Sequence, residues 1–127
     1  MENMKANILG TEYTIETHKI SEDETMKKNQ WSGYCDEENK LIVVADMTEK
    51  EFIDIDGIEA QERYRKKTLR HEIVHAFLNE SGLSDSACRY GGAWAKNEEM
   101  VDWFAIQSPK ILAVYKSLDI LGEQRWI

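Results

Sequence analysis

The chain has 127 residues, 42% of them hydrophobic, which suits a single domain spanning residues 1–127 whose core needs no disulfides. A formal net charge of -8 argues against direct binding of nucleic acid, because a phosphate-binding surface needs a net basic footprint. The N-terminus lacks the charged and apolar regions of a secretory signal, and no window approaches the roughly 18 apolar residues that span a bilayer.

The two cysteines, Cys35 and Cys88, stand far apart and form no C-x-x-C motif. This spacing fits reduced thiols in a reducing compartment better than a disulfide framework. We therefore expect a cytoplasmic protein without a membrane segment.

The first half of the chain predicts strands. Residues 8–20 alternate β-forming and polar side chains, which predicts a half-buried strand or a short hairpin around Gly10, with His18 exposed at the strand end. Residues 21–29 are charged and predict a loop or a short exposed helical turn. Residues 30–35 predict a second short strand. Residues 40–46 (KLIVVAD) predict a third, covered on both faces, whose free edge can pair with an extended peptide.

A long helix follows. Asp56 and Glu59 resemble a capping box, so we expect the helix to begin near Gly57, run to Ser81 and end at Gly82. Residues 59–67 are charged, which predicts a solvated face with ion pairs. From Leu69 onward the helix is apolar almost all round, which predicts burial.

The buried half of this helix carries His71, Glu72 and His75, an H-E-x-x-H motif. Histidines four residues apart lie one turn apart on one face, a spacing that suits one zinc ion. Glu72 projects to the side, where it can act as a general base on a water molecule beside the metal. The alternative is that the histidines only pack against neighbours, but buried polar groups need partners, and a metal ion satisfies all three.

A third zinc ligand is expected downstream, where Asn97 is a good helix N-cap and Glu98 and Glu99 occupy the first turn. Glu98 and Asp102 share one helix face. We predict Glu98 as the third ligand and Asp102 as the acceptor of the outer N–H of a ligating histidine, with Glu99 and Asp102 as alternative ligands. The packing face of this helix is expected to comprise Met100, Val101, Trp103 and Phe104, and a further helix is expected to begin at Ser108 and Pro109.

The spacing of the motif and of Glu98-x-x-x-Asp102 is similar to the H-E-x-x-H and E-x-x-x-D arrangement of gluzincin metallopeptidases. Over residues 41–108 the chain resembles the small ImmA/IrrE-type peptidases of phages, prophages and mobile elements. The resemblance implies an α+β, minimal zincin-like domain, with a small N-terminal antiparallel sheet packed on the active-site helix and two further helices after it. It also implies Glu98 as third ligand, Glu72 as base, and a regulatory protein such as a repressor as substrate.

We therefore expect a zinc-dependent metallopeptidase acting on a protein or peptide. Tyr90, in the loop before the second long helix, is a candidate donor to the oxyanion, with loop anchoring as the alternative role. The competing hypothesis is a non-catalytic zinc-binding protein that acts by binding a partner. A fourth protein ligand such as Cys88 closing the site would favour that hypothesis.

Overall fold

The computed structural model describes residues 3–81 and 97–117 and confirms the α+β class. Its elements are β1 (Met4–Ile8), β2 (Thr11–His18), a 3-10 turn (Ile20–Glu22), α1 (Glu24–Asn29), β3 (Gly33–Asp36), β4 (Leu41–Ala45), α2 (Ile58–Glu80) and α3 (Glu98–Ser117). Within these ranges, none of the helices has the length and apolar character that crossing a membrane requires.

The four strands form one sheet in the order β1-β2-β4-β3. β1 and β2 are joined by a tight turn in which Leu9 and Gly10 both have positive φ, 51° and 92°, so the hairpin predicted around Gly10 is confirmed. β3 and β4 are also antiparallel, but β4 runs parallel to β2. The expectation of an antiparallel sheet is therefore wrong for this pair. Residues 19–40 form a connection long enough to return β4 alongside β2 in the same direction.

β4 is a central strand of the sheet, and its residues Ile42, Val43, Val44 and Ala45 are all buried. This confirms the strand that was expected to be covered on both faces. Because β4 is paired on both sides, its own edge is not available to an extended peptide. β3 is an edge strand of the sheet and packs against α2.

The charged segment that follows β2 is less exposed than its composition indicates, because Asp23 and Met26 are buried. The Asp23 carboxylate accepts a hydrogen bond from the Met26 N–H at 3.1 Å and from the Tyr34 hydroxyl at 2.8 Å, and it lies 2.6 Å from His18 Nδ1. Burial by itself raises the pKa of Asp23, but these hydrogen bonds outweigh burial and lower it. His18 is therefore held between Asp23 and Glu16 rather than standing exposed at a strand end.

α2 has the predicted extent, but it does not begin with a capping box. Gly57 is the N-cap, with φ of 93°, and no side chain caps the helix there. Asp56 forms an ion pair with Lys50 instead, which removes its carboxylate from the helix start. The predicted stop at Gly82 lies outside the described residues.

α3 begins with the predicted cap, since Asn97 Oδ1 accepts a hydrogen bond from the Met100 N–H at 2.9 Å. Its packing face agrees with the expectation at Val101, which is buried, but differs elsewhere: Ala105 is buried, whereas the side chains of Trp103 and Phe104 are exposed. Small residues allow α3 to approach α2 closely, so the aromatic rings are left on the outer side.

α3 also continues through Pro109, so the separate helix predicted to begin at Ser108 and Pro109 is not formed. Proline has no N–H and leaves the carbonyl four residues earlier without a helical partner. That carbonyl belongs to Ala105, and Arg70 of α2 donates to it from Nε at 3.1 Å. The hydrogen bond that the proline removes is thus replaced by one between the two long helices.

The C-terminal end of α2 is fixed to the sheet by Glu80. Its carboxylate accepts hydrogen bonds from Lys40 Nζ at 2.9 Å, from the Tyr13 hydroxyl at 2.7 Å and from the Thr11 hydroxyl at 3.0 Å. The bond from Lys40 is the largest cause of a fall in the pKa of Glu80 to about 2, followed by the bond from Tyr13. One carboxylate therefore joins α2 to the β1–β2 hairpin and to the turn before β4.

Replacing Glu80 by Gln should make the free energy of unfolding less dependent on pH in acid. The folded-state pKa of Glu80 lies below the ordinary value of about 4.3, so its stabilisation is present above about pH 5 and is lost as the pH falls toward 2. Urea denaturation from pH 7 to pH 2.5 measures the difference. Glu59→Gln is the matched control, because Glu59 lies on the same helix and receives no hydrogen bond from another side chain in the described ranges. If the free energy of unfolding has the same pH dependence in both variants, the role of Glu80 is contradicted.

Candidate metal centre

The two motif histidines lie one turn apart on α2 and converge with Glu98 of α3. Their ring centroids are 4.8 Å apart, and the two Nε2 atoms are separated by 3.1 Å. Glu98 Oε1 lies 3.2 Å from each of these nitrogens. Three potential donor atoms, two nitrogens and one oxygen, therefore form a nearly equilateral triangle.

Asp102 lies one turn after Glu98, and its Oδ1 is 2.6 Å from Nδ1 of His71. A carboxylate at this distance favours the tautomer in which Nδ1 carries the proton and donates it. Nε2 of His71 then has its lone pair free and directed toward His75 and Glu98. The contact that the sequence predicted between Asp102 and a motif histidine is present, and its role in metal binding stays a prediction.

A positive charge at the centre of the triangle would stabilise the three donor atoms. Two imidazole nitrogens and a carboxylate oxygen repel one another when all three present lone pairs, and one proton can bridge only one of the three contacts. Protonation of His75 is disfavoured, because burial lowers its pKa and outweighs the opposing effect of Glu98. A bound cation satisfies all three atoms together.

The size of the triangle fits zinc. Tetrahedral ligands about 2.0 Å from zinc are separated from one another by about 3.3 Å. The observed separations of 3.1 and 3.2 Å are close to this value without any rearrangement of the side chains. The side chain of Glu98 is 65% exposed, so the centre is open to solvent on the side of α3. A tetrahedral ion held by these residues would keep its fourth position for another ligand.

Glu72, the middle residue of the motif, is buried between α2 and β3. It is only 7% exposed, and its carboxylate lies within 4.8 Å of the ring nitrogens. Burial raises its pKa to about 7; His71 opposes this shift, and the carboxylates of Glu98 and Asp102 add to it. Such a carboxyl group can both accept and release a proton near neutral pH.

Of the three acidic residues considered for the third ligand, Glu98 is the one whose carboxylate oxygen lies close to Nε2 of both histidines. Asp102 contacts the outer nitrogen of His71 rather than the converging pair. Glu99 lies along a separate surface depression with Trp103. Tyr90 and Cys88, the candidates for oxyanion donor and fourth ligand, lie outside the described residues.

Gly33, which the sequence did not single out, allows β3 to approach the motif. A Cβ atom at this position would lie 2.8 Å from Cγ2 of Thr68, 3.0 Å from the Val43 carbonyl oxygen and 3.5 Å from Oε2 of Glu72. The available signal was a glycine inside a predicted strand, which indicates close approach of another group to the backbone. Because Gly33 has no side chain, β3 can lie close to the carboxylate of Glu72.

Cys35 of β3 lies in the same cleft as His75 and Glu98. Burial is the main reason that the pKa of its thiol rises to about 12, and the Glu72 charge adds to the shift. Asn79 donates a hydrogen bond to its sulfur at 3.7 Å. The thiol is therefore neutral, a form in which cysteine is a poor nucleophile and metal ligand.

Comparison with protein-family models, with curated proteins and with solved structures gives no match. The resemblance to gluzincin peptidases thus stands on the motif residues and their spacing. The geometry of the centre is independent of that resemblance, because it follows from the packing of α2, α3 and β3.

Replacing Gly33 by Ala should lower the free energy of unfolding by about 1–3 kcal/mol, the usual effect of overpacking, because the new methyl overlaps that of Thr68. Thr68→Ser is the matched partner, since it removes the Cγ2 atom that the new methyl meets. Urea denaturation of both single variants and the double variant measures the coupling between the two substitutions. The double variant should be at least about 1 kcal/mol more stable than the sum of the two single effects predicts. Additive changes would show that Gly33 is not required for this close approach.

Proposed function

We propose that the protein is a zinc-dependent peptidase that hydrolyses peptide bonds of a protein substrate. The observation that carries the proposal is the convergence of His71 Nε2, His75 Nε2 and Glu98 Oε1 within 3.2 Å of one another, next to the buried carboxyl group of Glu72. These three donors would hold the metal. Zinc with only three protein ligands is typical of catalytic sites, whereas structural sites are closed by four ligands, usually including thiolates.

Zinc, when bound, supplies a Lewis acid that polarises the carbonyl group of the scissile bond. Glu72 is the general base: its carboxylate takes a proton from the attacking water and delivers it to the nitrogen of the departing amine. Asp102 holds the His71 ring in one orientation, and so keeps Nε2 directed at the centre. Each of these roles belongs to a side chain whose position is fixed by helix packing.

The edge of β3 supports an extended substrate as the occupant of the cleft. β3 packs against α2 and, among the described strands, pairs with β4 alone, so the hydrogen-bonding groups along its other edge can add a further strand. We propose membership of the ImmA/IrrE-type gluzincins, and with it a regulatory protein as substrate in the cytoplasm. This proposal rests on the spacing of the motif residues.

Glu72→Gln should retain stoichiometric zinc yet lower the rate of peptide hydrolysis by about 10²–10⁴-fold, the usual contribution of a general base. Glutamine has nearly the same shape but cannot accept the proton. Zinc per chain is measured by elemental analysis after dialysis, and cleavage by mass spectrometry of new N-termini in a cytoplasmic protein extract. Glu98→Ala is the contrasting variant, because it should lose zinc during the same dialysis.

Two results would contradict the assignment. An unchanged cleavage rate in Glu72→Gln would remove its role as base. Full zinc retention in Glu98→Ala would place the third ligand elsewhere. A wild-type chain that binds zinc and generates no new N-termini would favour the non-catalytic alternative.

A further inference from the structure

Two cavities adjoin the candidate metal centre, and its three donor residues all line the larger one. They share Trp31, Gly33, His71 and Glu72 as walls. One, of roughly 310 Å³, extends toward the N-terminal half of α2 along Lys67 and is called the Lys67 cavity. The other, of roughly 540 Å³, extends in the opposite direction along Glu37 and is called the Glu37 cavity. A chain crossing the centre along β3 would place neighbouring side chains in these two cavities.

The two cavities differ in charge. The Glu37 cavity is lined by the carboxylates of Glu37, Glu72 and Glu98, with no lysine or arginine among its described lining residues. The Lys67 cavity contains an ammonium group, and one of its two carboxylates, Asp102, is already bonded to His71. A negatively charged side chain is therefore repelled from one cavity and attracted to the other.

Lys67 is not neutralised by its surroundings. In the described part of the chain it has no ion pair or hydrogen bond, whereas Lys5, Lys40 and Lys50 each contact a carboxylate. Its neighbours three and four positions away on α2 are Tyr64, Arg70, Arg63 and His71, so no acidic residue lies within reach on the same helix. Within the described residues Arg63 and Lys66 of the same charged run also have no ion pair, but of these three cations Lys67 is the one that lines a cavity.

A second donor lies in the same cavity. The hydroxyl groups of Ser32 and Tyr64 are 3.1 Å apart, and both residues line the cavity. One hydroxyl donates to the other, and the hydrogen of the accepting hydroxyl stays available. An ammonium group and an O–H donor together match a carboxylate, which accepts several hydrogen bonds.

We propose that Lys67 is a specificity-determining residue, and that the Lys67 cavity takes an aspartate or glutamate side chain next to the scissile bond of the substrate. This inference rests on the proposed peptidase function and adds the substrate class. The preferred substrate is an extended peptide with an acidic residue on one side of the cleaved bond and a non-acidic residue on the other.

The test is cleavage of a randomised peptide library by the zinc-loaded chain, read by mass spectrometry. Wild type should select Asp and Glu at one position beside the cleaved bond. Its kcat/KM for a Glu peptide should be about fivefold higher than for the Gln peptide of the same shape. This factor corresponds to the largest stabilisation usually found for a solvent-exposed ion pair. Lys67→Glu should reverse this preference, and Lys67→Arg should keep it.

Lys66→Glu is the matched control, because it makes the same change in net charge at the adjacent exposed residue, which lines neither cavity. Equal effects of Lys66→Glu and Lys67→Glu, or cleavage by wild type without acid preference, would overturn the role of Lys67 and leave the peptidase proposal standing. Absence of any zinc-dependent cleavage of the library would overturn both.

Binding gives an independent readout. Fluorescence anisotropy of the labelled Glu and Gln peptides on Glu72→Gln should show tighter binding of the Glu peptide. The difference should reverse in Glu72→Gln/Lys67→Glu, because the new carboxylate repels the Glu side chain. Tighter binding of the Glu peptide to both variants would overturn the assignment of Lys67.

Discussion

The candidate metal centre depends on the packing of α3 across α2. Val101 and Ala105 of α3 are buried, α3 packs against α2, and Arg70 donates to the Ala105 carbonyl that Pro109 leaves without a partner. The position of the two helices along each other is therefore fixed by both packing and a directional hydrogen bond. As a result, Glu98 and Asp102 of α3 meet the histidines of α2, although more than twenty residues of chain separate the two sets.

The sheet supplies the other half of the constraint. β4 is buried on both faces and pairs with β3, which is an edge strand of the sheet. Gly33 allows the backbone of β3 to approach Thr68 and Glu72. Glu72 is thereby removed from solvent on the side of β3, while the donors that converge near it stay accessible from α3. A buried carboxyl group beside a candidate cation site is an arrangement that stability alone does not require, since burying such a group carries a free-energy cost.

Local features of the sequence were sufficient for much of this structure. The extent of α2, the hairpin at Gly10, the cap at Asn97 and the shared face of Glu98 and Asp102 each depend on residues close together in the chain. These features follow from helical periodicity, turn conformation and capping, which short segments determine by themselves.

The features that were missed depend on contacts between distant segments. The parallel pairing of β2 with β4 is decided by the path of residues 19–40. The passage of α3 through Pro109 requires Arg70, thirty-five positions away along the chain from the carbonyl it satisfies. The capping box is the exception, because it is lost to an ion pair between Lys50 and Asp56, which are only six positions apart. The free charge of Lys67 likewise becomes significant only when the cavity beside it is known.

The central claim is that one zinc ion is held by two imidazoles and one carboxylate, with no thiolate. X-ray absorption at the zinc edge of the zinc-loaded chain tests it most directly. The account predicts nitrogen and oxygen scatterers at about 2.0–2.1 Å, with the outer-shell scattering of two imidazole rings. A sulfur scatterer at about 2.3 Å would contradict it, because a thiolate would then close the site as in a structural zinc centre.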